Sequence, residues 1–202
     1  MDAMEVINYR GYEITAHYDE DTDSPDRWGD ENAFIVYDHR QFFVERKGFN
    51  PEEIWEHVQE TKQKTYDGYY VFPLYAYIHS GVSLSLGRLS YPFTCPWDTS
   101  MTGFVLVKRE KGTWNIDKAE KTAESVVDEW NMFLSGEVYG YTSECGSCWG
   151  FYGEDGYKQM IEAAKSEIDY EIDKLKHKHF NQLKTWIKNR VPIEHRQQLL
   201  IA

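Results

Sequence analysis

Along the chain, apolar and polar residues alternate or recur at two different periods, and these divide it into strands and helices. Val6-Ile7-Asn8-Tyr9 and Tyr12 to His17 alternate around Arg10-Gly11, which predicts a β-hairpin turning at the glycine. Phe34 to Tyr37 and Phe42 to Val44 form a second hairpin pattern around Asp38-His39-Arg40-Gln41. Asn50-Pro51-Glu52-Glu53 supplies an N-cap, a proline at the first helical position and acidic residues for the helix dipole. The spacing predicts a helix from Pro51 to about Thr65, burying Ile54, Trp55 and Val58 and ended by Asp67-Gly68.

Residues 69–107 read as strands. Leu74, Ala76 and Ile78 alternate with Tyr75, Tyr77 and His79, giving one aliphatic and one phenol-and-imidazole face. Val82, Leu84 and Leu86 continue after a Ser80-Gly81 turn, and Phe104 to Val107 reads as an interior strand. Asp117 to Glu120 reads as a capping box, opening a helix with Ala119, Ala123, Val126, Val127, Trp130, Phe133 and Leu134 at helical spacing and Gly136 as its stop. Two aromatic strands follow, Glu137 to Tyr141 and Cys148 to Tyr152. The expected fold class is α+β: a mainly antiparallel sheet with two packed helices and a long protruding C-terminal helix.

That last helix is expected from about Gly156 to Arg190. Ile161, Ala164, Ile168, Ile172, Leu175, His179, Leu183 and Ile187 step by three or four. It would be roughly 50 Å long, more than a domain of this size covers. A domain over 1–155 is therefore expected, with the helix and tail at 156–202. Ile161, Ala164, Ile168, Ile172, Leu175, Leu183 and Ile187 become the candidate seam of a homodimer. The plainer alternative is that a break near Pro192 folds the end back on the core.

Charge changes the picture most. The 202 residues carry a net charge of −12, and the first 60 hold 16 acidic and 5 basic residues, a net of −11. The candidate partner-binding residues are Asp19, Glu20, Asp21, Asp23, Asp26, Asp30 and Glu31. Such a field repels phosphates and attracts cationic surfaces, so a partner with a basic surface is expected, with no direct nucleic-acid contact. A solvated loop that only aids solubility is the plainer reading. Lys174, Lys176, Lys178, Lys184, Lys188 and Arg190 make the C-terminal segment basic. Neither a membrane-length apolar run nor a signal-peptide pattern is present, and three cysteines suit a reducing compartment, so a cytoplasmic location without membrane contact is expected.

Chemistry-bearing groups are sparse. Cys145 and Cys148 have the two-residue spacing of a zinc knuckle, and Cys95 and His79 are the residues available to complete four ligands; without that convergence no cofactor is expected, and the pair reads as two buried, reduced thiols. Cys95 or Cys148 as nucleophile, His79 as base and Asp98 as its orienting partner have the types that nucleophilic catalysis needs. There is no glycine-rich phosphate loop, and the remaining histidines are isolated. The Tyr75/Tyr77/His79 and Tyr139/Tyr141 faces suit a flat ligand, or packing alone.

Tyr75 to Gly81, Phe93-Thr94-Cys95-Pro96-Trp97-Asp98-Thr99, Gly103 to Val107, Phe133 to Tyr141 and Ser147-Cys148-Trp149-Gly150-Phe151-Tyr152-Gly153 resemble motif blocks of a family of small proteins encoded by bacteriophages and mobile elements. Ser24 to Trp28 and His39-Arg40 are similar to its N-terminal motifs, and the likeness spans about residues 24–153. The resemblance implies a phage or mobile-element setting and no particular reaction. The function expected from charge and resemblance together is a non-enzymatic accessory protein that binds a host protein, with counter-defence (anti-restriction or anti-CRISPR) as the concrete form. A small Cys/His-dependent enzyme or ligand-binding protein, and a dimeric structural module, are the alternatives.

Overall fold

A computed structural model describes residues 3–28, 31–39, 42–87, 97–109, 115–192 and 194–195. It has the α+β architecture expected from the sequence: strands β1 (Ala3–Tyr9), β2 (Tyr12–Tyr18), β3 (Ala33–His39), β4 (Phe42–Val44), β5 (Thr65–Tyr66), β6 (Tyr69–Ile78), β7 (Val82–Leu86), β8 (Thr99–Lys108), β9 (Val138–Ser143) and β10 (Ser147–Tyr152), with helices α1 (Pro51–Thr61), α2 (Ile116–Ser135) and α3 (Gly153–Arg190). The chain divides into two compact units, and one of the crossings between them falls at Glu154/Asp155. One compact unit comprises Met1–Tyr18, Tyr139–Phe151 and Asp155–Ala202, and the other Asp19–Val138 with Tyr152–Glu154.

The second unit is built on a sheet of order β4-β3-β8-β6-β5, with β7 also paired to β6, and every pairing in it is antiparallel. Its central strands are apolar on both faces because a helix covers each. Ile35, Tyr37, Val105 and Val107 meet Ala119, Ala123, Val127 and Trp130 of α2, while Phe34, Val36, Phe104 and Leu106 meet Ile54 of α1. Two helix boundaries differ from the expectation. Helix α1 stops at Thr61 with Lys62 in the left-handed region, because Asp67-Gly68, both at positive φ, form the turn of the β5–β6 hairpin. Helix α2 is capped by Asn115, whose side chain accepts from the Lys118 N–H at 3.0 Å, and Asp117 lies in the first turn. Ile54 is fully buried, but Trp55 is 43% exposed and not part of the core.

The first unit is a four-stranded sheet of order β1-β2-β9-β10 under the N-terminal half of α3. Strand β2 pairs antiparallel with β9, Ala16 opposite Tyr141, which is why the N-terminal hairpin belongs with residues far along the chain. Ile14, Ala16, Tyr141, Met160, Ala164 and Ile168 form its core. Polar contacts set the position of α3 on the sheet: Tyr141 Oη donates to Glu167 Oε2 at 2.8 Å, Tyr9 Oη donates to Asp169 Oδ2 at 3.1 Å, and Arg10 pairs with Asp169 at 2.9 Å. Tyr157 donates to Glu5. Helix α3 has 38 residues, about 57 Å, and Asp173 through Trp186 are all exposed.

Candidate functional site

The acidic segment begins where β2 ends. The Asp19 N–H donates to the Val138 carbonyl at 2.8 Å, and Pro25–Trp28 forms a 3-10 turn. Glu20, Asp21, Asp23 and Glu31 are exposed, and Asp19 is half-buried. Asp26 departs from the expectation of a free partner-binding carboxylate: its Oδ1 pairs with Arg46 Nη1 at 3.1 Å, and the guanidinium lies over the Phe34 ring at 4.5 Å. Asp30 lies outside the described residues. The structure adds a carboxylate that the sequence did not point to. Tyr152 Oη donates to the Asp23 carbonyl at 3.4 Å, and its phenol is pushed above its ordinary range by burial, then by the negative charges of Glu129, Asp19 and Asp23, against a lowering hydrogen bond with Thr22. Glu129 on α2 is thus near enough to Tyr152 to act on its phenol.

Of the nucleophile trio, the structure assembles two members. The Ile78 N–H donates to the Asp98 carbonyl at 2.9 Å, which holds Asp98 beside the end of β6, and His79 Nδ1 lies 3.4 Å from Asp98 Oδ2. Tyr77 stacks on the imidazole with ring centroids 6.2 Å apart, and Trp97, which precedes Asp98 in the chain, is 92% exposed. Cys95 lies outside the described residues, and Cys148 is an exposed residue of β10 in the other unit.

The zinc set is likewise divided. Cys145 and Cys148 lie in the first unit and His79 in the second, and among the described residues no group of three or more His, Cys, Asp or Glu is placed to hold a metal ion. The Cys145 turn is held by Ser143, whose Oγ accepts the N–H groups of Cys145 and Gly146, both at 3.2 Å. Burial, followed by the charges of Glu171, Glu167 and Glu144, raises the Cys145 thiol above its ordinary range. That setting favours a protonated thiol and suits neither nucleophile nor redox centre. In the first unit Tyr141 is buried beneath α3 and Tyr139 packs edge-on against Tyr157, so both rings are engaged in packing.

The proposed dimer seam splits in two. Ala164 and Ile168 are fully buried in the chain's own core, and Ile161 and Ile172 pack at its edge. Ile187 is also buried. Leu175 and Leu183 are exposed, together with Phe180 and Trp186, which the sequence reading had not placed in the seam.

No family model, no curated protein and no solved structure matches this chain.

Proposed function

We propose that this chain is a non-enzymatic accessory protein of a bacteriophage or mobile element, acting in the cytoplasm of a bacterial host by binding a host protein with a basic surface. In its concrete form it is a counter-defence inhibitor, whose acidic face occupies a cationic nucleic-acid channel of a restriction or CRISPR-type effector. The observation that carries this reading is the run of carboxylates Asp19, Glu20, Asp21 and Asp23, of which Glu20, Asp21 and Asp23 are exposed. Glu20 and Asp21 are exposed and make no ion pair among the described residues, so their field reaches solvent. Oriented carboxylates of this kind act mainly on association rate, and the effect weakens with ionic strength. No helix among the described residues is long and apolar enough to cross a membrane, and the reading needs none.

The test starts from a host partner recovered with the tagged full chain and identified by mass spectrometry. Its association rate is then measured against salt for the wild type and for a variant carrying Asp19→Asn, Glu20→Ser, Asp21→Asn and Asp23→Asn. The variant should associate roughly tenfold more slowly at low salt, with a shallower salt slope. An unchanged slope removes the reading.

A second reading, a small Cys/His-dependent enzyme or ligand-binding protein, is favoured by the His79–Asp98 contact, since a carboxylate at Nδ1 orients an imidazole for base chemistry at Nε2. Cys95 is its nucleophile. A thiol at Cys95 that reacts fast at neutral pH, and loses that rate in His79→Gln, supports it; an ordinary rate dismisses it.

A further inference from the structure

Opposite the stripe that seats α3 on its sheet runs a second pattern. Counted in sevens, Tyr170, His177 and Lys184 fall on one line of the helix, and Lys174, Asn181 and Lys188 on the line beside it. Tyr170 follows the buried Ile168 by two residues and Lys174 follows Ile172 by two, so both lines lie about 200° round from the side that meets the sheet. They stay in solvent whatever lies over Leu175 and Leu183. The Tyr170 ring is 68% exposed, and Phe180 at the border of this face is 51% exposed. His177, Asn181, Lys184 and Lys188 are exposed as well. Rings and cations alternate here: Lys174 Nζ lies 5.9 Å from the centre of the Tyr170 ring, and Lys184 Nζ 4.5 Å from that of Phe180. His177 Nδ1 donates to the Asp173 carbonyl at 2.8 Å, which fixes the imidazole.

The geometry points to a single-stranded nucleic acid as the partner of this face, its bases stacked on Tyr170, His177 and Phe180 and its phosphates held by Lys184 and Lys188. Charge supplies the first argument. Residues 174–190 hold six basic residues and no acidic one, in a chain of net charge −12. The carboxylates that border the face are paired, Glu171 with Lys174 at 2.6 Å and Asp173 with Lys176 at 3.0 Å. The rings supply the second. Flat rings interleaved with cations suit an unpaired strand, because every base has a π-face to stack and every linkage a charge to neutralise. A duplex offers phosphates but keeps its bases stacked on one another, which leaves the rings unused. An anionic membrane would instead bury the apolar side of the helix, where Ile187 is already covered. From 170 to 188 the face is about 27 Å long, room for on the order of four nucleotides. Repulsion of phosphates belongs to the first 60 residues and does not extend to this half of α3, whose sign is opposite. The contact stands independently of the host-binding reading.

Fluorescence anisotropy with the full chain and labelled single strands of about 12 nucleotides and mixed sequence, one DNA and one RNA, tests it. At least one strand should bind with a dissociation constant on the order of 10 µM in about 50 mM salt, the logarithm of affinity falling by about 0.7 per phosphate contact against the logarithm of salt. Lys184→Gln with Lys188→Gln should weaken binding about tenfold and take about 1.4 off that slope. Tyr170→Ala should weaken it about fivefold or more at unchanged slope, and Tyr170→Phe should keep it. Lys118→Gln with Lys121→Gln, the same change of net charge placed on α2, should cost less than about twofold. Circular dichroism confirms unchanged helicity, since every altered side chain is exposed. No binding of either strand at up to about 1 mM protein, tighter binding of a duplex of the same sequence or of phosphatidylserine vesicles, or wild-type affinity in either the lysine or the alanine variant would each overturn the inference.

Discussion

The side-chain amide of Asn131 on α2 stands in for a missing neighbouring strand at Leu84, accepting its N–H at 2.7 Å and donating to its carbonyl at 2.9 Å. Strand β7 hydrogen-bonds to β6. At the buried Leu84, one amide satisfies both backbone groups that β6 leaves over.

Replacing Asn131 by Ala should therefore cost about 1–3 kcal/mol, the penalty of leaving buried backbone groups unpaired. Asn131→Asp should cost a similar amount, since a carboxylate accepts but cannot donate to the carbonyl. Urea unfolding of each variant measures this. Hydrogen exchange should show protection lost first at Leu84.

Gly140 and Trp149 are related by exclusion. A Cβ at Gly140 would sit 2.0 Å from Cε3 of Trp149, whose indole lies across the strand toward His17, with centroids 5.7 Å apart. Gly140→Ala should destabilise the first unit by about 1–3 kcal/mol, as overpacking does. Adding Trp149→Leu should recover part of that loss, and a double-mutant cycle on denaturation midpoints reads the coupling.

Tyr157 gives a pH prediction whose sign follows from its partner. Burial, the hydrogen bond to Glu5 and the charge of Glu5 push the phenol up to about 12. The folded chain therefore holds this proton more tightly than the unfolded one. The stabilisation is complete below about pH 10, the ordinary tyrosine value, and is lost as pH rises toward 12. Tyr157→Phe should lessen the fall in denaturation midpoint between pH 9 and about 11.5.

The two cysteines near β10 should differ in reactivity. Cys145 is half-buried among carboxylates that keep it protonated, whereas Cys148 is exposed. Alkylation at neutral pH followed by peptide mapping should label Cys148 first, and Glu167→Gln with Glu171→Gln should narrow the gap.

The local signals were legible in the sequence and the long-range ones were not. The turn at Arg10-Gly11, the cap at Asn50, the stop at Gly136 and the strand runs Phe34–Tyr37 and Phe104–Val107 all depend on neighbours within a few residues, and the structure has each of them. The end of α1 was misplaced because Asp-Gly serves equally as a helix stop and a hairpin turn. The periodicity of α3 was plain, yet a stripe does not say whether its own sheet or another molecule covers it, so Ala164 and Ile168 were assigned to a seam they do not join. The charge of the acidic segment was readable residue by residue; the Arg46 that neutralises Asp26, and the arrival of Glu129, arise from tertiary contacts. His79 and Asp98 were paired on chemical type alone, and the end of β6 brings them together.

The pairing of β2 with β9 also fixes an order of events during synthesis. Residues 19–138 can emerge and collapse on their own helices while the first eighteen wait without a template. Their edge stays open until β9 and the first turns of α3 leave the ribosome, so truncations that stop short of Ile168 should yield a chain whose leading hairpin is prone to pair with strangers.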